Sequence, residues 1–379
     1  MISAAAALCV FATACHLVSV LIVAIRCRTT NRGRDLLSEC PPVSLVRPVC
    51  GLDNFADETL RSSFELDYPG YEIIFCVASA ADPVVPTVRA LIAAYPHVPA
   101  RLIIGDERIS GNPKLNNCVK GWNAAAHDWI IIADSNVLMP RDYIHRLLAR
   151  FQPGTGLVCS PPLGSRPHGF WAGLECAFLN TYQVRWQYFA DALGHGFAQG
   201  KTMLWRRDVL ERAGGIRALG AEVAEDAAST KVVRAAGLKV RLVDPPFEQP
   251  LGRRSMAEVW NRQIRWARLR RACFPGYFAP EILGGALPAL MTAAGLAAAA
   301  DVSVPGTVLA LAILWYGAEM FLAATAGWHV SRLYPLHGLL RDLMLPLLWV
   351  GGWLGTDFVW RGNQMTIAED GEAMASPQA

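Results

Sequence analysis

Three long apolar runs stand out along the chain. Ile2 to Ile25 carries no charge unless His16 is protonated, Ile282 to Ala300 carries none, and Val302 to Val330 carries Glu319 and, when protonated, His329. A helix of about 20 apolar residues crosses a hydrocarbon core of roughly 30 Å, so each run is long enough to span a membrane. No basic segment precedes the first run, and its apolar core exceeds the roughly 7–15 residues of a secretory signal, so it reads as a retained anchor. A fourth stretch, Leu343 to Thr356, has only 14 residues between Asp342 and Asp357. That length is short for a span and suits a re-entrant or interfacial segment.

Between the first two runs the pattern is different. "VSLVRPVC" (Val43 to Cys50), "EIIFCV" (Glu72 to Val77), "RLIIG" (Arg101 to Gly105) and "WIIIAD" (Trp129 to Asp134) are short and rich in β-branched residues. Runs of this kind suit buried parallel strands. Helix-length segments lie between them, at Asp57 to Leu66, Val84 to Ala94 and Lys114 to Ala125. Strands alternating with helices imply βαβ units and a doubly wound α/β sheet, in which ligands bind beyond the carboxyl ends of the strands.

Composition and charge refine this picture. Of 379 residues, 53% are hydrophobic and 18% charged, a balance that the apolar runs account for. Ten cysteines form no C-x-x-C pair, which favours reduced thiols over a metal or disulfide framework. Arg26, Arg28, Arg32 and Arg34 follow the first run, and "WNRQIRWARLRR" (Trp260 to Arg271), with five arginines, precedes the second. Basic residues beside membrane helices favour the cytoplasm, so the middle of the chain is expected there. The net charge of +3 is small and the arginines cluster at membrane borders, so nucleic acid is not an expected partner. A composition rich in Ala and Arg with five lysines fits a high-GC bacterium, hence a bacterial inner membrane. The expected parts are an anchor (1–26), a cytoplasmic α/β domain (40–250), an interfacial segment (251–280), two C-terminal spans plus a short re-entrant piece (281–357) and a polar tail (358–379).

The residues just past each apolar run are candidates for chemistry. They are Asp82 in "ASAADP", Lys114, Asn116 and Asn117 in "GNPKLNN", and Asp134 and Asn136 in "ADSN". A carboxylate at the mouth of so apolar a strand costs desolvation unless it is paired. A hard divalent cation bridging phosphates would pair Asp134; capping of the next turn would also account for it. Asp82 could equally begin the turn at Pro83. Farther on, Glu225-Asp226 precedes a helical pattern from Ala227 to Ala236, where acids are ordinary partners of the helix dipole. "GHGFAQGKT" is not a Walker phosphate loop, because His195 stands where the glycine is required. The aromatic-rich stretch Phe170 to Ala192 is either an interfacial lid over an acceptor or an ordinary core helix.

Taken in order, an Asp after the second strand, a D-x-[DN] after the fourth, a later Glu-Asp and an R-x-x-R-W before a membrane helix resemble glycosyltransferase families 2 and 21. The resemblance is closer to family 21, the ceramide glucosyltransferases. It runs over "RLIIGDERISGNPKLNN", "ADSNV", "MLWRRDVLERAGGI", "AEDAAS" and "RQIRW", covering roughly Val43 to Arg271. It implies a GT-A fold with N- and C-terminal transmembrane helices, a UDP-sugar donor (most often UDP-glucose), a ceramide acceptor and Mg²⁺ or Mn²⁺. By the same resemblance, Arg47 and Pro48 border the uracil pocket, Asp82 is the donor-site aspartate, and Lys114 with Asn116 contacts the nucleotide or its phosphates. Asp134 holds the metal, Asp226 is the general base, and Arg262, Arg265 and Trp266 form the R-x-x-R-W motif.

Chemistry supports this set. Transfer with inversion needs one base on the acceptor hydroxyl and no enzymic nucleophile, while a metal and arginines would neutralise the leaving diphosphate. On a helix Arg262, Arg265, Trp266 and Leu269 share one face, leaving Arg268, Arg270 and Arg271 to face lipid phosphates. The chain departs from the eukaryotic ceramide enzymes at "ASAA", where they carry extra acids, and at Gln183-Val184-Arg185, where they carry His-Pro-Arg. Alternatives are the same chemistry on a hopanoid, diacylglycerol or polyprenyl acceptor, and a non-catalytic membrane scaffold with a degenerate transferase domain.

Overall fold

A computed structural model describes residues 2–28, 40–360, 363–367 and 373–375. Arg32 and Arg34 lie outside the described residues. In chain order the elements are α1 (Ile2–Arg28), β1 (Val43–Pro48), α2 (Ala56–Arg61), β2 (Tyr71–Val77), α3 (Val85–Ala94), β3 (Ala100–Ile104), α4 (Pro113–Ala124), β4 (Trp129–Ala133), α5 (Tyr143–Ala149), β5 (Thr155–Cys159), β6 (Leu163–His168), α6 (Phe170–Cys176) and α7 (Arg185–Ala192). They continue with β7 (Thr202–Arg206), α8 (Arg207–Glu211), α9 (Glu225–Ala235), β8 (Lys239–Leu242), β9 (Glu248–Arg253), α10 (Met256–Cys273), α11 (Pro275–Phe278), α12 (Ala286–Ala299), α13 (Val304–Thr325) and α14 (Tyr334–Leu354). Three short strands, β10 (Asp357–Trp360), β11 (Asn363–Ile367) and β12 (Ala373–Ala375), pair antiparallel where the sequence pattern shows only a polar tail.

The chain divides into a sheet unit (Thr29–Leu163, Ala190–Gly252 and Asp357–Ala379) and a helical unit (Met1–Arg28, Gly164–Phe189 and Arg253–Thr356). In the sheet unit, seven strands lie in the order β3-β2-β1-β4-β7-β5-β8. The four apolar runs seen in the sequence become β1 to β4, mutually parallel. Leu45, Ile73, Phe75 and Ile131 are among the fully buried side chains that join these strands to α2, α3 and α5 in one core. Strand order reverses between β1 and β4, the place where doubly wound sheets bind ligands. Antiparallel β7 inserts beside β4, pairing Ala133 with Thr202 and Trp129 with Arg206. This pairing brings the beginning of β7 to the carboxyl end of β4.

Within the helical unit, α1 and α13 are long and apolar enough to cross a membrane. A further pair, Pro275–Leu283 and Ala286–Ala299, passes the same test only as one span bent by 44°. The uncharged run Ile282 to Ala300 is therefore broken at its start, with α12 contributing 14 helical residues. Helix α14 is 21 residues long and starts well before the short apolar stretch, carrying Arg341 and Asp342 inside it. Phe170 to Ala192 is helical throughout, with a π-helical stretch at Ala177–Val184, and nearly all of its side chains from Ala172 to Tyr182 are buried. That burial marks a core helix. Ser255 caps α10 reciprocally with Glu258 in a capping box, which fixes where the arginine-rich helix starts.

Candidate active site

The carboxyl end of β4 is held from below. Arg47, fully buried on β1, donates through Nη2 to the carbonyls of Asp134 (2.8 Å) and Val137 (3.3 Å) and through Nη1 to that of Thr59 (2.8 Å). Burial lowers its pKa to about 10, still far above neutrality, so it remains a cation surrounded by carbonyl oxygens. The guanidinium thus supports the loop that carries Asp134, and Pro48 is buried next to Arg47 at the end of β1. In the loop that follows β2, Asp82 accepts N–H bonds from Gly51 (3.0 and 3.1 Å) and Val84 (2.9 Å), tying two edge loops together.

Three further segments converge on Asp134. Helix α4 begins at Asn112, whose side chain accepts from the N–H groups of Lys114 (2.9 Å) and Leu115 (3.2 Å), with Pro113 at the first helical turn. This start places Lys114 at the sheet edge. Lys114 Nζ lies 2.7 Å from Asp134 Oδ1, 2.7 Å from Glu225 Oε1 and 2.5 Å from the Gly200 carbonyl. Strand β7 brings Lys201, whose Nζ meets Asp134 Oδ2 at 2.8 Å and Asn136 Oδ1 at 3.1 Å. From the start of α9, Glu225 also accepts from Asn112 Nδ2 at 2.7 Å, and Asp226 accepts N–H bonds from Gly200 (3.2 Å) and Ala227 (2.8 Å). Asn116 points instead to its own loop, binding Ile109 and Ser110. A Cβ at Gly200 would stand 2.7 Å from Glu225 Oε1 and 2.9 Å from Lys114 Nζ, so a larger residue would displace the charged tips of this pair.

The electrostatics separate the three acids. Burial pushes Asp134 up, but Lys114 and Lys201 outweigh it and hold the carboxyl well below the usual range. Lys114 is likewise disfavoured by burial and more strongly favoured by Asp134 and Glu225, so it stays charged. Glu225 has both oxygens committed, to Lys114 and Asn112. Among the described residues, no ammonium forms an ion pair with Asp226. Burial and the neighbouring Glu225 charge raise it to about 6 against the opposing pull of Lys114 and the backbone N–H groups. A carboxylate tuned near neutrality and partly open to solvent is suited to accept a proton.

Lys201, Asn112 and Gly200 join the cluster without having been singled out by the sequence pattern. The signal for Lys201 was present in "GHGFAQGKT", whose spacing excludes a Walker loop; its lysine reaches the sheet edge through the antiparallel pairing of β7 with β4.

The helical unit holds the R-x-x-R-W residues. Arg262 Nη1 is 2.5 Å from Glu175, a buried acid on α6, and its guanidinium lies 5.9 Å from the Trp266 ring centroid. Arg265 and Trp266 are half-buried on the same helix. The arginines expected to face lipid phosphates have protein partners. Arg270 pairs with both oxygens of Glu281 (2.7 and 2.8 Å), Arg268 lies 3.4 Å from the Gly351 carbonyl, and Arg271 stands 6.0 Å from the Trp353 ring centroid. The expectation of lipid contact is corrected most clearly at Arg270, because the charge that would seek a phosphate is already matched by Glu281.

Comparison with known proteins identifies the family. The description "Glycosyl transferase family 21" matches residues 11–373. The chain is 26% identical over 344 residues to ceramide glucosyltransferase 3 of Caenorhabditis elegans, covering 89% of this chain and 75% of that protein. It is 25% identical over 375 residues to ceramide glucosyltransferase 1 of the same organism, covering 97% and 80%. Among solved structures it is similar to a mannosyltransferase from Pyrobaculum calidifontis in complex with GDP-Man and Mn²⁺, with a TM-score of 0.51, 21% identity and coverage of 89% and 98%. The family match spans nearly the whole chain, sheet and helices alike, so the chain belongs to glycosyl transferase family 21 and is a GT-A enzyme that works on a sugar nucleotide.

Proposed function

We propose that this enzyme moves a hexose, glucose from UDP-glucose first among the candidates, to the primary hydroxyl of ceramide with inversion, giving a β-glycosylceramide. The observation that carries the reading is Asp226, raised to about 6 by burial and Glu225 and set beside a cluster in which both lysines are charged partners of acids. Asp226 would take the proton of the attacking hydroxyl as the new glycosidic bond forms and the bond to UDP breaks. Lys114 and Lys201 would stabilise the charge that develops on the departing diphosphate. The ceramide acceptor is supported by the named activity of the relatives. The two apolar helices long enough to cross a membrane support a lipid substrate.

A divalent cation fits the residues present. Asp134 is ionised and partly exposed, and its neighbour Asn136 offers a further oxygen. Each carboxylate oxygen keeps a lone pair beyond its lysine contact, and Mg²⁺ is commonly held by one carboxylate together with substrate phosphates. Mg²⁺ or Mn²⁺ held by Asp134 would supply additional neutralisation of the diphosphate. The same proposal gives Asp82, Arg47, Pro48 and Asn116 the shaping of the nucleotide site and assigns Arg262, Arg265 and Trp266 to the diphosphate or acceptor. It places the enzyme in a bacterial inner membrane with its sheet unit in the cytoplasm.

The test is a matrix assay on the full-length protein purified in detergent. UDP-glucose, UDP-galactose, UDP-glucuronic acid and UDP-N-acetylglucosamine are each paired with ceramide, hopanoid, diacylglycerol and polyprenol, with and without Mg²⁺. A glycosylceramide that disappears in Asp226→Asn is the expected result. Product with another lipid alone would replace the acceptor and retain the chemistry.

A further inference from the structure

The helical unit contains a cleft that the R-x-x-R-W residues do not line. It is a narrow cleft, partly open to its surroundings, between α10, α14, the π-helical stretch and the segment Phe278 to Glu281. Its walls differ in character. Phe278, Leu345, Leu348 and Trp349 form an apolar side, with Trp349 fixed by donating its indole N–H to the carbonyls of Phe278 (3.2 Å) and Ala279 (3.1 Å). Gln183 and Gln263 form a polar side, where Gln183 Nε2 donates to Gln263 Oε1 at 2.9 Å.

The pair leaves one donor over. Gln263 is 3% exposed, yet among the described residues its Nε2 has no hydrogen-bond partner. A buried amide N–H left unmatched keeps its full desolvation cost, so the position favours a ligand that brings an acceptor. The charge at the cleft is already balanced, because Arg270 Nε and Nη2 both donate to Glu281. A neutral acceptor therefore suits it better than a phosphate. Apolar side chains are exposed on the same elements, with Leu347 60% and Leu283 48% accessible, which leaves a path for hydrocarbon outside the cleft.

We propose that this cleft binds the amide of a neutral N-acylated lipid, with Gln263 donating to its carbonyl oxygen and Gln183 holding the Gln263 side chain in place. The inference rests on the ceramide reading above and makes Gln263 a determinant of acceptor specificity.

The experiment uses the full-length enzyme in phosphatidylcholine nanodiscs with a ceramide bearing a photoactivatable diazirine beside the amide. Crosslinks are expected on peptides containing Ala267, Phe278 or Leu348. Gln263→Met, close in shape and lacking the donor, should weaken labelling and raise KM for ceramide about tenfold while leaving KM for the sugar nucleotide unchanged. Gln263→Glu keeps the bond from Gln183 and should do the same, which covers misfolding of the first variant. Unlabelled ceramide should compete, and diacylglycerol, which lacks the amide, should compete poorly. Wild-type turnover of ceramide with crosslinks elsewhere, or with KM unmoved in both variants, would overturn the cleft and leave the acceptor reading standing. Equal competition by diacylglycerol would overturn the amide as the recognised group. Labelling of the cleft in an enzyme that does not glycosylate ceramide would uphold the binding site and sink the acceptor reading instead.

Discussion

Two ionic clusters in this chain are built from the same kinds of side chain and have opposite characters. At the sheet edge, Asp134, Glu225, Lys114 and Lys201 retain between 8% and 21% side-chain exposure, and Asp226 beside them has no cationic partner among the described residues. In the helical unit, Glu319, Arg341 and Asp342 have none. There Arg341 donates to Glu319 at 3.0 and 3.1 Å and to Asp342 at 2.9 Å, while Tyr316 donates to Asp342 at 3.0 Å. Ionisable residues in apolar helices commonly mark a functional path. Here the network is shut off from solvent, and Arg341 also donates to Thr181 Oγ1 at 3.0 Å, so it is an internal tie that joins α13 and α14 to the π-helical stretch. In the proposed function, reactivity belongs to the cluster that leaves an acid unneutralised and a side open.

That contrast can be broken from either end. The largest effect should come from Asp226→Asn, which removes the proposed base and should lower kcat by about 10²–10⁴-fold without changing sugar-nucleotide affinity. Turnover near the wild-type rate, with binding measured by calorimetry, would place the base elsewhere. Arg341→Met should leave Glu319 buried and uncompensated, lowering stability by roughly 3–5 kcal/mol in thermal unfolding. Adding Glu319→Leu should restore part of that loss. A single variant as stable as the parent would mean that the network is not a tie.

Two smaller effects sharpen the sheet-edge half of the comparison. Because Asp226 must be ionised to accept a proton and titrates at about 6, kcat/KM should fall about tenfold per pH unit below that value and level off above it. A flat profile between pH 5 and 7 would separate Asp226 from the rate. Lys201→Met removes one of the two ammonium groups from Asp134 and should raise KM for the sugar nucleotide about tenfold. An unchanged KM would confine Lys201 to a structural role.

Much of the sheet is legible in the order of residues. The runs at Val43, Glu72, Arg101 and Trp129 form β1 to β4 within a residue or two, because an apolar β-branched stretch flanked by polar turns has few other ways to bury itself. The candidate site is legible in part. Asp134 and Lys114 stand just past strands, so their convergence follows from the βαβ pattern. That of Lys201 does not, since nothing local says that β7 runs antiparallel beside β4. Helix α14 shows the converse difficulty. Arg341 and Asp342 look like a polar boundary in sequence, and the apolar stretch after them looks too short for a long helix. The charges are neutralised across the unit by Glu319 and by each other, so the helix runs through them. Arg270 follows the same logic, its local basic context pointing to lipid while Glu281 holds it.

Sequence alone determined what depends on near neighbours: periodic burial, the alternation of strands and helices, the uncharged helices, and the motif order that marks a family 21 glycosyltransferase. Tertiary structure decided what depends on partners distant along the chain. It chose which lysines meet Asp134, which acid is left at about 6, and which arginines are neutralised within the protein. The physical reason is that the state of a charge is set by the groups within a few ångströms and by its access to water, and neither quantity is encoded in spacing along the chain.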